Sequence, residues 1–254
     1  MAMTSSKSVV VTGAGSGIGR AVSLALLARG HRVALAGRRT DRLEETVGMA
    51  GPDARDRTVV VTADVTDPRQ VESLFDAAVA AHGRVDAVFS NAGSWGSPGS
   101  VDEISAEQWR EAVDLNVNGT FYCAAEAVRR MKSQTPQGGR VINNASISAH
   151  VPRPRSVAYT TTKHAITGLT KSIELDGRGY GVRATQIDIG NAATEMTSGI
   201  SKGAVQADGS KRAEPTFDAA HVGELVAYVV ELPLDVTMPW VTIAAAEMPW
   251  IARG

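Results

Sequence analysis

Tyr159 and Lys163 stand four residues apart in a stretch, Ala158 to Leu175, whose apolar spacing predicts a helix. At i and i+4 the two side chains share one helix face. A phenol, with a pKa near 10, is a poor base at neutral pH. A neighbouring ammonium favours the phenolate, and a positively charged nicotinamide would add to that pull. Such a tyrosine can exchange a proton with a substrate oxygen while hydride moves to or from a dinucleotide. Taken alone, the pair equally fits a packed ring beneath the aliphatic stem of a snorkelling lysine.

A second candidate is the turn Thr12-Gly13-Ala14-Gly15-Ser16-Gly17-Ile18-Gly19. It follows a short β-branched run and opens a helix. Glycines there let the backbone approach a pyrophosphate, and the helix N-terminus attracts its charge. The G-x-G-x-x-G spacing does not fit, because its third glycine would fall on Ile18. The pattern is G-x-x-x-G-x-G, through Gly13, Gly17 and Gly19. An ordinary tight strand-to-helix turn is the plainer reading.

The elements that must position these groups alternate along the chain. Strands are expected at Val9 to Val11, Arg32 to Ala36, Thr58 to Thr62, Val85 to Phe89, Arg140 to Asn144, Val182 to Ile187 and Trp240 to Ala244. Helices are expected at Ile18 to Ala28, Asp41 to Met49, Val71 to Ala81, Ser105 to about Lys132, Ala158 to Leu175 and Asp218 to Leu232. Ser105 with Gln108 has the spacing of a capping box, and Thr66-Asp67-Pro68 offers a cap and a helix-opening proline. Apolar strands separated by helices imply a parallel sheet covered on both faces. The fold class is therefore α/β, a doubly wound parallel sheet of Rossmann type, as a single domain over 1–254. Residues 1–7 are expected to be disordered and 195–215 to form a mobile loop over the substrate.

Composition narrows the classes of function. Of 254 residues, 43% are hydrophobic and 21% charged, as in an ordinary globular chain. With 26 Lys+Arg against 27 Asp+Glu the formal charge is −1, so a nucleic-acid or membrane-surface partner is not expected. Cys123 is the only cysteine, and the five histidines lack ligand-like spacing, so no metal is expected. The N-terminus lacks the apolar core of a secretory signal, and the expected compartment is the cytoplasm.

The glycine spacing resembles the short-chain dehydrogenase/reductase family in its compact form. The resemblance covers nearly the whole chain and sharpens through further matches in order: Asp64-Val65, Asn91-Ala92-Gly93, Asn116, Ser146 and Tyr159-x-x-x-Lys163. It implies that Asn116, Ser146, Tyr159 and Lys163 are catalytic. Tyr159 would be the proton donor or acceptor, and Ser146 would polarise the carbonyl. Lys163 would also hold the nicotinamide ribose, and Asn116 a water behind it. Ser146 also reads as a turn residue, with Ser148 as a local competitor. The resemblance further implies that Gly13, Ser16, Gly17, Ile18 and Gly19 take the pyrophosphate. Asp64 and Val65 would meet the adenine, and Asn91, Ala92 and Gly93 the adenine ribose. Asp64 could instead cap the turn at Thr66, and Asn91 could stabilise its own loop. A Ser–His hydrolase is disfavoured because no G-x-S-x-G turn surrounds Ser146.

The expected cofactor is NADP(H) in preference to NAD(H). Where an NAD enzyme places an acid at the end of the second strand, this chain has Gly37 followed by Arg38 and Arg39. A guanidinium suits a 2′-phosphate. The expected substrate is a small carbonyl or secondary alcohol. The rivals are a 3-oxoacyl thioester reductase and a non-catalytic NADP(H)-binding sensor or scaffold. The resemblance also implies a homo-oligomer, tetramer or dimer.

Two departures concern the pocket. Gly190 and Thr194 match the family after strand six and would contact the cofactor, but Ile189 replaces its usual proline. The apolar ending, Met238 to Ile251, either crosses a subunit interface or packs on its own domain. Arg153 and Arg155, between Ser146 and Tyr159, would either draw an anionic substrate or carry solvated surface charge.

Overall fold

The structure is a computed structural model and describes residues 6–200 and 203–250. The strands are β1 (Ser8–Thr12), β2 (Arg32–Gly37), β3 (Thr58–Thr62), β4 (Ala87–Ser90), β5 (Gly139–Asn144), β6 (Val182–Gly190) and β7 (Trp240–Ala244). The helices are α1 (Gly17–Ala28), α2 (Thr40–Met49), α3 (Pro68–His82), α4 (Ala106–Val113), α5 (Gly119–Ser133), α6 (Val157–Gly177) and α7 (Ala220–Glu231). One seven-stranded sheet runs β7-β6-β5-β4-β1-β2-β3, and every pairing in it is parallel.

Alternation along the strands divides the core. Val9 and Val11 face a cluster with Leu26, Leu35, Phe89, Val222 and Val226, under α1 and α7. Val10 faces the opposite cluster with Val88, Leu74, Phe75 and Ala127, under α3 and α5. All three valines are fully buried, as expected for a strand covered on both sides. At roughly 1.5–3 kcal/mol per fully buried aliphatic side chain, these two layers supply the main drive for folding.

The chain order reverses beside β1, which pairs with β2 on one side and β4 on the other. The loops leaving β1 and β4 must therefore diverge and leave a crevice at the carboxyl ends of the strands. The expected strands and helices are present, with shifts of a few residues at their ends. The Ser105–Gln108 capping box forms, and Asp67 accepts from Arg69 N ahead of Pro68. The long helix expected from Ser105 to about Lys132 keeps helical backbone throughout but is not uniformly α-helical. A π turn at Asp114–Asn118 divides α4 from α5, with Gly119 N reaching back to Asp114 O.

Of the expected disordered stretch 1–7, residues 1–5 lie outside the described residues. Ser6 Oγ donates to Gly30 O, and Lys7 N to His31 Nδ1. The segment 195–215 holds a short helical turn, Glu195–Thr197, and a small hairpin pairing Ala204–Val205 with Lys211–Arg212. Residues 201–202 within it are outside the description. From Ala245 to Trp250 the C-terminal segment packs on its own domain. Met248 is buried against Ile147 and Ala245, and Ala245 N donates to Gly190 O.

Candidate active site

Two adjoining cavities follow the crevice, sharing Gly13, Ser16, Ala92 and Gly93. The first holds Ser146, Tyr159, Lys163, Gly190 and Thr194. The second holds Arg38, Asp64 and Val65. The groove thus runs from the end of β2 to the Tyr–Lys face of α6.

Its floor is the glycine turn. Gly13 and Gly17 have φ of +65° and +50°, a region that penalises side chains. A Cβ on Gly19 would lie 2.2 Å from Gly13 O, and one on Gly17 would lie 3.2 Å from Thr194 Cγ2. These glycines therefore keep the turn tight and leave a cradle that side chains would fill. Ser16, the N-cap of α1, makes no side-chain capping bond, and no acid sits in the first turn. The amino end of α1 is in that way suited to a phosphate, and Ile18 lines the cleft beside it. The residues present fit a dinucleotide.

Asn91, Asn144 and Lys163 form a strap across the strand ends. Asn91 Nδ2 donates to Thr12 O at 2.9 Å, and Asn144 Nδ2 donates to Asn91 Oδ1 at 2.8 Å. Lys163 Nζ donates to Asn144 O at 2.8 Å. Ala92 N and Asn91 N both donate to Thr12 Oγ1. The Asn91 amide therefore anchors the start of its loop to the ends of β1 and β5, while the residue still lines the groove. Asp64 likewise holds the turn at Thr66: its Oδ1 accepts from Thr66 N and Oγ1. Val65 is buried against the start of α5.

Asn116 sits in the π turn with its amide committed. Oδ1 accepts from Ser94 N at 2.9 Å, and Nδ2 donates to Ser94 O at 2.9 Å and Thr162 Oγ1 at 3.2 Å. Its carbonyl accepts from Thr120 Oγ1. The Asn116 side chain thus ties the loop after β4 to α6. Gly93 makes this approach possible, since a Cβ there would stand 3.0 Å from Asn116 Oδ1.

Tyr159 and Lys163 are both buried. Burial pushes the Tyr159 phenol up to about 12, against the opposing pull of a hydrogen bond with Ser146 and the charge of Arg153. Burial also pushes the Lys163 ammonium down to about 8, although Asp188 opposes it. Ser146 Oγ is held by Ser148 N at 3.1 Å and contacts Ile189 O at 3.5 Å. The Ser148 backbone thus orients Ser146, and of the two serines Ser146 lines the cavity. Asp188, itself buried, is bonded by His150 and Gln186 at 2.8 Å each.

Several lining residues carried no motif. The Trp95 ring lies 4.3 Å from the Tyr159 ring, centre to centre, and its Nε1 donates to Met196 O. Arg42 joins Arg38 and Arg39 around the second cavity. A basic i+4 partner to Arg38 is visible in the sequence and could have flagged Arg42. Arg153 is mostly buried on Glu214 and Asn191 and also lines the first cavity. Arg155 pairs with Glu103 at the surface. Among the described residues no helix is long and apolar enough to cross a membrane.

Residues 7–204 match the family model described as short chain dehydrogenase. An uncharacterized oxidoreductase of Staphylococcus aureus is 32% identical over 243 residues, which cover 96% of this chain and 99% of that one. An alcohol dehydrogenase from the archaeon Thermococcus sibiricus, complexed with 5-hydroxy-NADP, superposes with a TM-score of 0.80 at 25% identity, covering 93% and 95%. An actinorhodin polyketide ketoreductase solved with NADPH gives a TM-score of 0.84 at 25% identity, covering 96% and 98%. The matched segment takes in both the glycine turn and the Tyr–Lys helix, and with the sheet order it leads to one assignment: the chain belongs to the short-chain dehydrogenase/reductase family of oxidoreductases.

Proposed function

We propose that the protein is an NADP(H)-dependent carbonyl reductase or alcohol dehydrogenase acting on a small ketone, aldehyde or secondary alcohol. The observation that carries this reading is the joining of Ser146, Tyr159 and Lys163 to the Gly13–Gly19 turn by one continuous groove. When bound, a nicotinamide supplies or takes up the hydride. The chain's own residues do the rest. Ser146 polarises the carbonyl, and Tyr159 gives its proton to the oxygen or takes one from an alcohol. Lys163, fixed by Asn144 O, holds its ammonium beside the Tyr159 ring, 5.6 Å from the ring centre. Gly190 and Thr194 close the cleft opposite Gly17.

The phosphorylated cofactor is favoured because Arg38 and Arg39 are exposed beside the second cavity and make no ion pair with a described residue. Arg42 is held to Glu45 next to them. Two unmatched guanidiniums where an acid would otherwise take a ribose suit a 2′-phosphate. The family resemblance supports a dimer or tetramer.

NADPH oxidation followed by absorbance across ketones, aldehydes, quinones and 3-oxoacyl thioesters tests the reading. Turnover is expected, and Tyr159→Phe should lower it by about 10²–10⁴-fold while NADPH still binds. Full activity in Tyr159→Phe would refute the acid–base role. Tight NADPH binding with no turnover on any substrate would favour a cofactor sensor. The likeness to a polyketide ketoreductase keeps thioester reduction as the second reading.

A further inference from the structure

Arg153, Asn191 and Glu214 come from three separate segments and meet on the substrate side of the cleft. Glu214 is 3% exposed. Arg153 grips it with two parallel bonds, Nη1 to Oε1 at 3.1 Å and Nη2 to Oε2 at 2.7 Å. Arg153 Nη2 also donates to Asn191 Oδ1 at 2.8 Å, and Asn191 Nδ2 donates to Glu214 Oε2 at 2.9 Å. Gln206 Nε2 adds a donor to Oε1 at 3.0 Å. Asn191 reaches both partners from a left-handed backbone, φ +57°.

Arg153 and Asn191 line the cleft together with Tyr159 and Trp95. A guanidinium beside a reacting centre is ordinarily a hook for a substrate carboxylate, because its paired donors match two oxygens. Here both terminal nitrogens already serve an internal carboxylate. Burial raises the proton affinity of Glu214, but the donors from Arg153, Asn191 and Gln206 outweigh it and hold the group at about 2. Glu214 therefore stays charged near neutral pH and does not release Arg153 by taking up a proton.

An incoming carboxylate would have to displace this tethered one. Otherwise it would sit beside the charged Glu214, where a low dielectric strengthens repulsion between the two carboxylates. Trp95, Ile147 and Met196 give the same cavity an apolar stretch of wall, and Glu195 lines it as a second carboxylate. We propose that the Arg153–Glu214 pair makes the pocket selective for uncharged carbonyl compounds, with Glu214 the residue that withholds Arg153 from a substrate carboxylate. This specificity role rests on the carbonyl-reductase reading of the same cleft.

Ethyl acetoacetate and acetoacetate present the same ketone without and with a charge. Each is titrated into the protein saturated with NADP⁺ or NAD⁺, whichever binds more tightly, and followed by tryptophan fluorescence. The ester should bind at least tenfold more tightly than the acid. Glu214→Gln should narrow that ratio at least fivefold, chiefly by tightening the acid. Glu214→Asp, which keeps the charge but shortens its reach, should narrow it at least twofold and serves if the first variant does not fold. Equal binding of acid and ester, binding of neither, or an unchanged ratio in a folded variant overturns the proposal. Turnover with NADPH is read separately. An ester that binds but is never reduced would sink the reductase reading and leave the selectivity standing.

Discussion

Tyr159 and Lys163 are pushed by the same burial in opposite numerical directions, and both toward their neutral forms. Below pH about 8 Lys163 keeps its proton, and Tyr159, held near 12, keeps its own. A protonated phenol beside an ammonium is the state that delivers a proton to a carbonyl oxygen. Reduction should therefore be flat up to pH about 8 and decline as Lys163 discharges. Alcohol oxidation, which needs the phenolate, should instead climb with pH. Steady-state profiles in both directions check this, and reduction that climbs steadily from pH 7 to 10 would contradict it. The lysine also bears on stability. Its folded pKa, about 8, lies below its ordinary 10.5, so the folded state binds fewer protons between those values. Its cost is full below pH 8 and is relieved as pH rises toward 10.5. Lys163→Met should abolish turnover yet stabilise the fold at pH 7 by about 1–3 kcal/mol, read by denaturant unfolding. On the cofactor side, Arg38→Ala should weaken NADPH by tenfold or more and NADH little. Equal losses in titrations with the two would remove the case for a 2′-phosphate site.

Helices and turns show why part of this arrangement could be read in advance. The glycine turn was visible because its residue types are forced by close approach: Gly19 has Gly13 O where a Cβ would stand. Gly19→Ala should cost about 1–3 kcal/mol and impair cofactor binding. Gly48, near the end of α2, has nothing within 4 Å of a Cβ position and no positive φ. Gly48→Ala should stabilise by roughly 0.5–1 kcal/mol. Thermal unfolding of the two variants separates a glycine required by contact from one that is merely permitted. The π turn was not visible. It is a shift of backbone bonding by one position, and Asp114-Leu115-Asn116-Val117-Asn118 carries no composition that distinguishes it from ordinary helix. The hold of Asp64 on Thr66 could be read from their adjacency, whereas the bonds of Asn91 to Thr12 and Asn144, 79 and 53 residues away, could not.

The sheet was legible because its strands are short apolar runs, buried on both faces, between helices with ordinary starts and stops. The Arg153–Glu214 pair was not, because the two residues lie 61 apart and no periodicity joins them. Nor could the sequence say where the apolar ending goes. Its strand, Trp240–Ala244, runs parallel beside β6, and beyond it Met248 Sδ lies 2.7 Å from where a Gly190 side chain would begin. That ending is therefore a wall behind the cleft. Met248→Ala should cost about 2–3 kcal/mol through the cavity it leaves, lowering the melting temperature by about 5–10 °C. An unchanged melting temperature would show that the wall is not fixed by Met248.

Between Asp114 and Asn118 the chain carries one residue more than a regular spiral would need. A version shorter by one residue could wind α4 and α5 into a single unbroken helix and keep the rest of α5 in register. It would lose the grip of Asn116 on Ser94, and with it the fixed link between the loop after β4 and α6. Chain length at this point is thus a heritable setting. Removing a single residue here, unlike removing one from a surface loop, should therefore free the loop after β4 from α6.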